Sequence, residues 1–206
     1  RLRSRGLGDV YKRQVPNLTM GVPVVKQLKK ATSLPLDVHL MIANPLEQLP
    51  WFLDAGADSV TVHAEALDAD GLARAVAAIH AAGAKAAVSV KPRTAVGALA
   101  PVLADLDMVL VMSVEPGFSG QSYIEGSEAK VARIAEMARA VGASPLIQVD
   151  GGIGEVTAPI VAAAGADVLV CGNAVFAAED PAAALAAVQA AAEEARLAAL
   201  AVSKEA

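Results

Sequence analysis

From about residue 34 onward the chain repeats one unit: a short run rich in Val, Leu and Ile, then an alanine-rich helical stretch, often closed by Ala-Gly-Ala or a similar breaker. Three breakers are Ala55-Gly56-Ala57-Asp58, Ala82-Gly83-Ala84-Lys85 and Ala164-Gly165-Ala166-Asp167. Each places glycine where a helix must end in a left-handed turn. Strand alternating with helix at a spacing of about 25 residues implies parallel strands joined by crossover helices. Strands are expected at Pro35–Ile42, Ser59–Glu65, Lys85–Val90, Met108–Val114, Leu146–Asp150 and Asp167–Gly172. Helices are expected at Leu46–Ala55, Ala69–Ala82, Ala95–Ala104, Gly126–Val141, Glu155–Ala164 and from about Pro181 to Ala201. Continuous apolar strands fit burial on both faces. An open doubly wound sheet and a (β/α)8 barrel both satisfy this pattern, although six units can be counted here and a barrel has eight.

The 206 residues suffice for one domain with a sizeable core. Hydrophobic residues make up 55% of the chain, much of the excess being alanine in stretches such as Ala73–Ala87 and Ala182–Ala192. Alanine is the strongest helix former, so these stretches read as packed helices. No apolar run reaches the ~18 residues a membrane helix needs, so no membrane partner is expected. A net charge of −5 offers no basic patch for nucleic acid. An anionic substrate remains open, because a phosphate needs only a few local amides. A single cysteine, Cys171, precludes an internal disulfide framework and fits a reducing compartment. It lies in an apolar run and reads as a buried small hydrophobe rather than a reactive thiol. With no secretory signal visible, the cytoplasm is the expected location. Residues 1–14 differ from the rest: basic, without strand alternation or a helical stripe, and not opened by Met. They are expected to be a segment foreign to the domain at 15–206, a misassembled or read-through start.

Alternation in Asp37-Val38-His39-Leu40-Met41 puts Asp37, His39 and Met41 on one face. A histidine near the C-terminal end of a barrel strand points toward the mouth, although a satisfied structural role is the commoner fate of a lone histidine. Asp150 ends an apolar strand and is followed at once by Gly151-Gly152. That arrangement suits a metal ligand or general base, and equally a turn or capping aspartate. Two loops read as phosphate cradles, Pro116-Gly117-Phe118-Ser119-Gly120-Gln121 and Gly172-Asn173-Ala174-Val175-Phe176. Free amides at a glycine-rich turn or helix start bind anions, and barrels often hold phosphate after their last two strands. His63 and Glu65 share a face and read as a hydrogen-bonded structural pair, with the barrel mouth as the other option; His80 is expected at the surface.

Taken in order, Val15-Pro16-Asn17-Leu18-Thr19-Met20-Gly21, Leu36-Asp37-Val38-His39-Leu40-Met41, Met112-Ser113-Val114-Glu115-Pro116-Gly117-Phe118, Val149-Asp150-Gly151-Gly152-Ile153 and Gly172-Asn173-Ala174-Val175-Phe176 resemble the ribulose-phosphate 3-epimerase family. The resemblance runs from residue 15 to about residue 195. It implies an α/β fold, a TIM barrel of the ribulose-phosphate-binding type, here with about six of eight βα units. It also implies interconversion of D-ribulose 5-phosphate and D-xylulose 5-phosphate in the pentose phosphate pathway. In that chemistry one aspartate removes the C3 proton, another returns a proton on the opposite face, and a divalent metal (zinc, iron or manganese) stabilises the enediolate. By this likeness His39 is a metal ligand that also touches substrate, and Asp150 is both a metal ligand and an acid/base group. Gly117, Phe118, Ser119, Gly120, Gly151, Gly152, Gly172 and Asn173 would contact the pentulose phosphate, and Met41 and Met112 would wall the enediolate. Ser119 stands where the family more often has glycine.

The family carries two strands before the Val-Pro-Asn-Leu-Thr motif. One bears a substrate-binding serine; the other bears a His-x-Asp pattern with two metal ligands and the partner acid/base. No residues of this chain match them. The metal is therefore expected to be weakly held and epimerase activity strongly reduced or absent. Alternative readings are an allulose-6-phosphate 3-epimerase and a non-catalytic phosphosugar-binding protein. A decarboxylase or synthase on a related barrel ranks below both. Whether the chain forms a homo-oligomer is left open.

Overall fold

The computed structural model of the chain describes residues 21–117 and 120–205, with side chains up to residue 202. The basic segment 1–14, the motif at 15–20 and the loop residues Phe118 and Ser119 lie outside the described residues.

Six parallel strands form one sheet in sequential order, β1 (Asp37–Leu40), β2 (Ser59–His63), β3 (Lys85–Val90), β4 (Met108–Met112), β5 (Leu146–Asp150) and β6 (Val168–Val170). The helices are α1 (Val22–Ala31), α2 (Pro45–Asp54), α3 (Ala69–Ala81), α4 (Ser127–Ala140), α5 (Ala158–Ala163), α6 (Asn173–Phe176) and α7 (Pro181–Glu205). All six expected strands form. The stretch expected to be a helix over Ala95–Ala104 instead makes two short 3-10 turns, Val96–Leu99 and Leu103–Asp105. Pro101 accounts for this, since it has no N–H to continue the i→i−4 hydrogen-bond ladder and its ring crowds the preceding turn. The breaker glycines behave as expected, with φ of +98° at Gly56, +78° at Gly83 and +110° at Gly165.

Strand alternation sorts the side chains into two environments. One face presents Val60, Val62, Val88, Val90, Val109, Val111 and Val149, all fully buried, to the helices. Each such side chain contributes about 1.5–3 kcal/mol by leaving water. The other face lines the inside of the curl and carries Asp37, His39, Thr61, His63, Ser89, Leu110, Met112, Gln148 and Asp150. The curl is tight enough for Gln148 on β5 to donate a hydrogen bond of 2.9 Å to Asp37 on β1, with Ser59 donating to the other Asp37 oxygen.

At the N-terminal end of the sheet one device occurs three times. Asp58 accepts from the backbone N–H of Leu36 and from Lys29 of α1. Asp107 accepts from the N–H of Ala86 and pairs with His80 of α3. Asp167 accepts from the N–H of Ile147 and from Arg196 of α7. Each aspartate sits just before an even-numbered strand, and its own N–H returns a bond to Leu36, Ala86 or Ile147. Strands are thus clamped in pairs, β1 to β2, β3 to β4 and β5 to β6, each pair with one helix side chain, Lys29, His80 or Arg196. His80, expected at the surface, is there and takes part in the second clamp.

Candidate active site

The functional residues gather at the opposite, C-terminal end of the strands. A cleft of about 570 Å³ opens there, lined by Met41, Met112, Val114, Pro116, Gly117, Gly120, Gln121, Asp150, Gly151, Gly152, Gly172 and Asn173, with Gly154, Glu155, Val156, Thr157 and Ala174 along its far side. Every described residue of the two expected phosphate loops up to Ala174 therefore borders one space. The loops also meet directly: a Cβ on Gly120 would sit 3.5 Å from the Asn173 amide nitrogen. At the start of α6 the N–H groups of Val175 and Phe176 are taken by the Gly172 carbonyl. Those of Asn173 and Ala174 take no acceptor among the described residues, as a helix start leaves them.

Asp150, the last residue of β5, enters this cleft, and burial raises its carboxyl above the usual carboxylate range. Its main chain is held by Ser113, whose N–H and Oγ both donate to the Asp150 carbonyl, at 2.9 and 3.0 Å. The same hydroxyl also lies 2.6 Å from the Gly151 carbonyl. Ser113 was not singled out from sequence; the available signal was a polar residue immediately after an otherwise apolar strand. Gly151 has φ +126°, and a Cβ there would lie 2.5 Å from Val114. Gly152 has φ +64°, and a Cβ there would strike the backbone nitrogen of Tyr123. The glycine pair therefore lets the loop after β4 lie directly on the loop after β5. Gly154, Glu155 and Thr157 were also missed, because nothing in their spacing marks them as facing the cleft. Thr157 closes this turn by donating to the Gly152 carbonyl and accepting from the Gly154 N–H.

Met41 packs against Leu110, Met112 and Val114, a small apolar cluster inside the curl and separate from the main core. His39 lies next to this cluster along β1 but does not itself border the cleft. Its Nε2 is 2.8 Å from Nε2 of His63, and the two rings stack with centroids 4.8 Å apart. Burial, followed by the neighbouring His63, lowers His39 to a pKa of about 3, so its imidazole is neutral. His63 is fully buried and in turn meets Glu65 at 3.1 Å through Nδ1. The expected His63–Glu65 pair is therefore present, with His39 as an unforeseen third member. Burial would raise Glu65, but hydrogen bonds from His63, the Lys91 N–H and Thr94 outweigh it and hold Glu65 down at about 2. Cys171 is half-buried, and burial and then Asp150 push its thiol up, consistent with a packing cysteine rather than a reactive one.

Asp37 and Gln148 touch across the curl, and His39 and Asp150 lie one side-chain layer further along the same two parallel strands. Both therefore project inside the sheet toward its C-terminal end. Among the described residues, no group of three or more His, Cys, Asp and Glu is placed to hold a metal ion, and no helix is long and apolar enough to cross a membrane.

Comparison with known proteins fits this geometry. The family model for ribulose-phosphate 3-epimerases matches residues 8–176, a match that opens inside the basic segment at 1–14. The chloroplastic ribulose-5-phosphate-3-epimerase of Arabidopsis thaliana is 47% identical over 178 residues, which are 86% of this chain and 63% of that protein. The ribulose-phosphate 3-epimerases of Mycobacterium tuberculosis and Bacillus subtilis are 48% and 45% identical, over 85% and 81% of this chain and 76% of each relative. The chain thus spans somewhat under two thirds of the plant protein and about three quarters of the bacterial ones. Among solved structures, 3-hexulose-6-phosphate synthase from Salmonella typhimurium superposes with a TM-score of 0.67 at 21% identity, covering 90% of this chain and 92% of that one. The 3-keto-L-gulonate-6-phosphate decarboxylase of Vibrio cholerae does so at 0.65 and 13%, covering 84% and 79%. These two similarities bear on the fold, a curled parallel α/β sheet of TIM-barrel type. The order of the strands, the cleft at their C-terminal ends and the extent of the sequence match agree: this chain belongs to the ribulose-phosphate 3-epimerase family, whose members are isomerases.

Proposed function

We propose that the chain acts on a pentulose 5-phosphate, interconverting D-ribulose 5-phosphate and D-xylulose 5-phosphate through proton transfer at C3, with Asp150 as the acid/base group on one face. The observation that carries this reading is the half-buried carboxyl of Asp150, raised above its usual range and opening into a cleft that Gly117, Gly120, Gly151, Gly152 and Gly172 also line. A carboxylate taken out of water is a stronger base toward a carbon-bound proton. Asp150 would take the C3 proton and leave the electron pair in an enediolate spread over C2 and C3. Return of a proton to C3 on the other face gives the epimer. Met41 and Met112 form the apolar wall that keeps water from the reacting carbon. The open amides of Asn173 and Ala174, with the backbone of Gly117, Gly120, Gly151, Gly152 and Gly172, would receive the phosphate. Phe118 and Ser119 complete that loop in the same proposal.

A divalent metal, when bound, supplies Lewis-acid stabilisation of the enediolate. His39 and Asp150 are the described residues that would serve as its ligands. Two protein groups fall short of the three or more such centres normally use, so the described residues do not by themselves form a complete metal site. Inversion likewise needs a second proton handler on the opposite face. With Asp150 handling one face, the chain should exchange the C3 proton with solvent.

The test is incubation with D-ribulose 5-phosphate in D2O, following deuterium at C3 and xylulose 5-phosphate by NMR. Asp150→Asn should slow exchange by about 10²-fold or more while leaving the chain folded. Saturable binding of the sugar phosphate with no exchange at C3 would instead mark a non-catalytic binder. Faster exchange on allulose 6-phosphate would move the assignment to that substrate.

A further inference from the structure

The three-membered chain Glu65–His63–His39 is not used by the proton transfer just described, and its geometry dictates where its protons lie. Glu65 is anchored at both oxygens: Oε1 accepts from the backbone N–H of Lys91 at 2.8 Å, and Oε2 faces Nδ1 of His63 at 3.1 Å. An ionised carboxylate only accepts, so Nδ1 of His63 must carry the proton. Taken as the singly protonated imidazole, fully buried His63 with its proton on Nδ1 has a lone pair on Nε2. That lone pair faces Nε2 of His39 at 2.8 Å, a distance that admits one proton between two ring nitrogens. The proton must then belong to His39. A neutral His39 protonated on Nε2 keeps its lone pair on Nδ1, the ring nitrogen that takes no partner from the described residues.

We infer that Glu65 is a positioning residue: acting through His63, it fixes His39 in the Nε2-protonated tautomer and so makes Nδ1 of His39 the nitrogen that meets an electron-pair acceptor, a divalent cation or a substrate hydroxyl. The use made of that nitrogen rests on the proposed function; the tautomers do not. Ring orientation is fixed as well, because His63 cannot turn without breaking both of its bonds, and the stacked rings restrict His39. A carboxylate setting the tautomer of a ligand-bearing histidine is a general device, and removing such a partner typically costs about 10–100-fold in affinity or activity. Here the device reaches through one additional imidazole.

The chain contains three histidines, so long-range 1H–15N spectra of the 15N-histidine-labelled protein at pH 8 can resolve each ring. The expected pattern is Nδ1–H on His63 and Nε2–H on His39. Glu65→Gln provides the decisive variant. Its amide oxygen must keep the Lys91 N–H, which turns the NH2 group toward His63. Nδ1 of His63 then has to accept, its proton moves to Nε2, and His39 should switch to Nδ1–H. A side chain that merely packs would lower stability without this double switch. Wild-type spectra with Nδ1–H on His39 or a doubly protonated His63, or a folded Glu65→Gln protein whose His39 is unchanged, would overturn the inference. Turnover separates the two proposals. With the switch observed and epimerisation present, Glu65→Gln should lower kcat about 10–100-fold with KM little changed. The expected spectra together with no C3 exchange in the wild type would sink the proposed function and leave this inference standing.

Discussion

At Gly152 the requirement for glycine is absolute in two respects: φ is +64°, and the missing Cβ would occupy the backbone of Tyr123. Gly142 has a similar φ of +71° but nothing within 4 Å of its absent Cβ. Gly142→Ala should therefore cost about 1 kcal/mol, the price of backbone strain alone. Gly152→Ala should cost about 2 kcal/mol or more, since backbone cannot move aside as a side chain can. Urea unfolding of both variants checks the difference; equal losses would show that the two loops do not lie as close as described. The pair Gly151-Gly152 was legible from sequence as a site of close approach next to Asp150. What it approaches was not legible, because Tyr123 and Ser113 come from another loop whose path the spacing does not reveal. His39 is the converse case. Its strand and face followed from alternation, whereas its neutral state depends on burial inside the curl and then on His63, a neighbour set by strand pairing.

The clamps at the N-terminal end are devices of paired elements, and each can be tested as one. Asp167→Ala would leave the buried N–H of Ile147 without its side-chain acceptor and Arg196 without its partner, costing about 1–3 kcal/mol. Asp167→Asn keeps an oxygen for the N–H and should cost less than the alanine change. If the two substitutions are equal in thermal or urea unfolding, charge rather than the hydrogen bond holds β5 to β6. Asp58 and Asp167 stood in the sequence as the residues that close two of the Ala-Gly-Ala breakers. Their common role was hidden, since each acceptor bond spans about 20 residues and each side-chain partner comes from a different helix. The failed helix at Ala95–Ala104 shows the opposite limit: alanine content favoured a helix, and Pro101 overrode it.

Across the whole molecule, several carboxylates are held below their ordinary values. Asp58 is lowered by its bonds from Lys29 and Leu36, and Glu65 lies at about 2. Burial opposes the shift at Asp107, but bonds from Ala86 and His80 win and lower it too. Such a group adds stability that is complete above its unfolded-state pKa and is lost as the pH falls toward the folded-state value. Stability should therefore hold above about pH 4.5 and decline steadily toward about pH 2. Urea midpoints measured across that range check this, and the Asp107→Asn variant should show a shallower decline; a profile flat down to pH 2 would contradict it. The sequence by itself determined the parallel α/β order, the helix ends, the apolar strands and the motifs that place the chain in its family. These are matters of local conformation and burial, written in neighbouring residues. Tertiary structure alone decided that Gln148 meets Asp37, that His63 stands between Glu65 and His39, and that two glycine loops enclose one cleft with Asp150. Those contacts arise only when a sheet curls and brings distant strands face to face, and residues far apart in a chain carry no local record of their meeting.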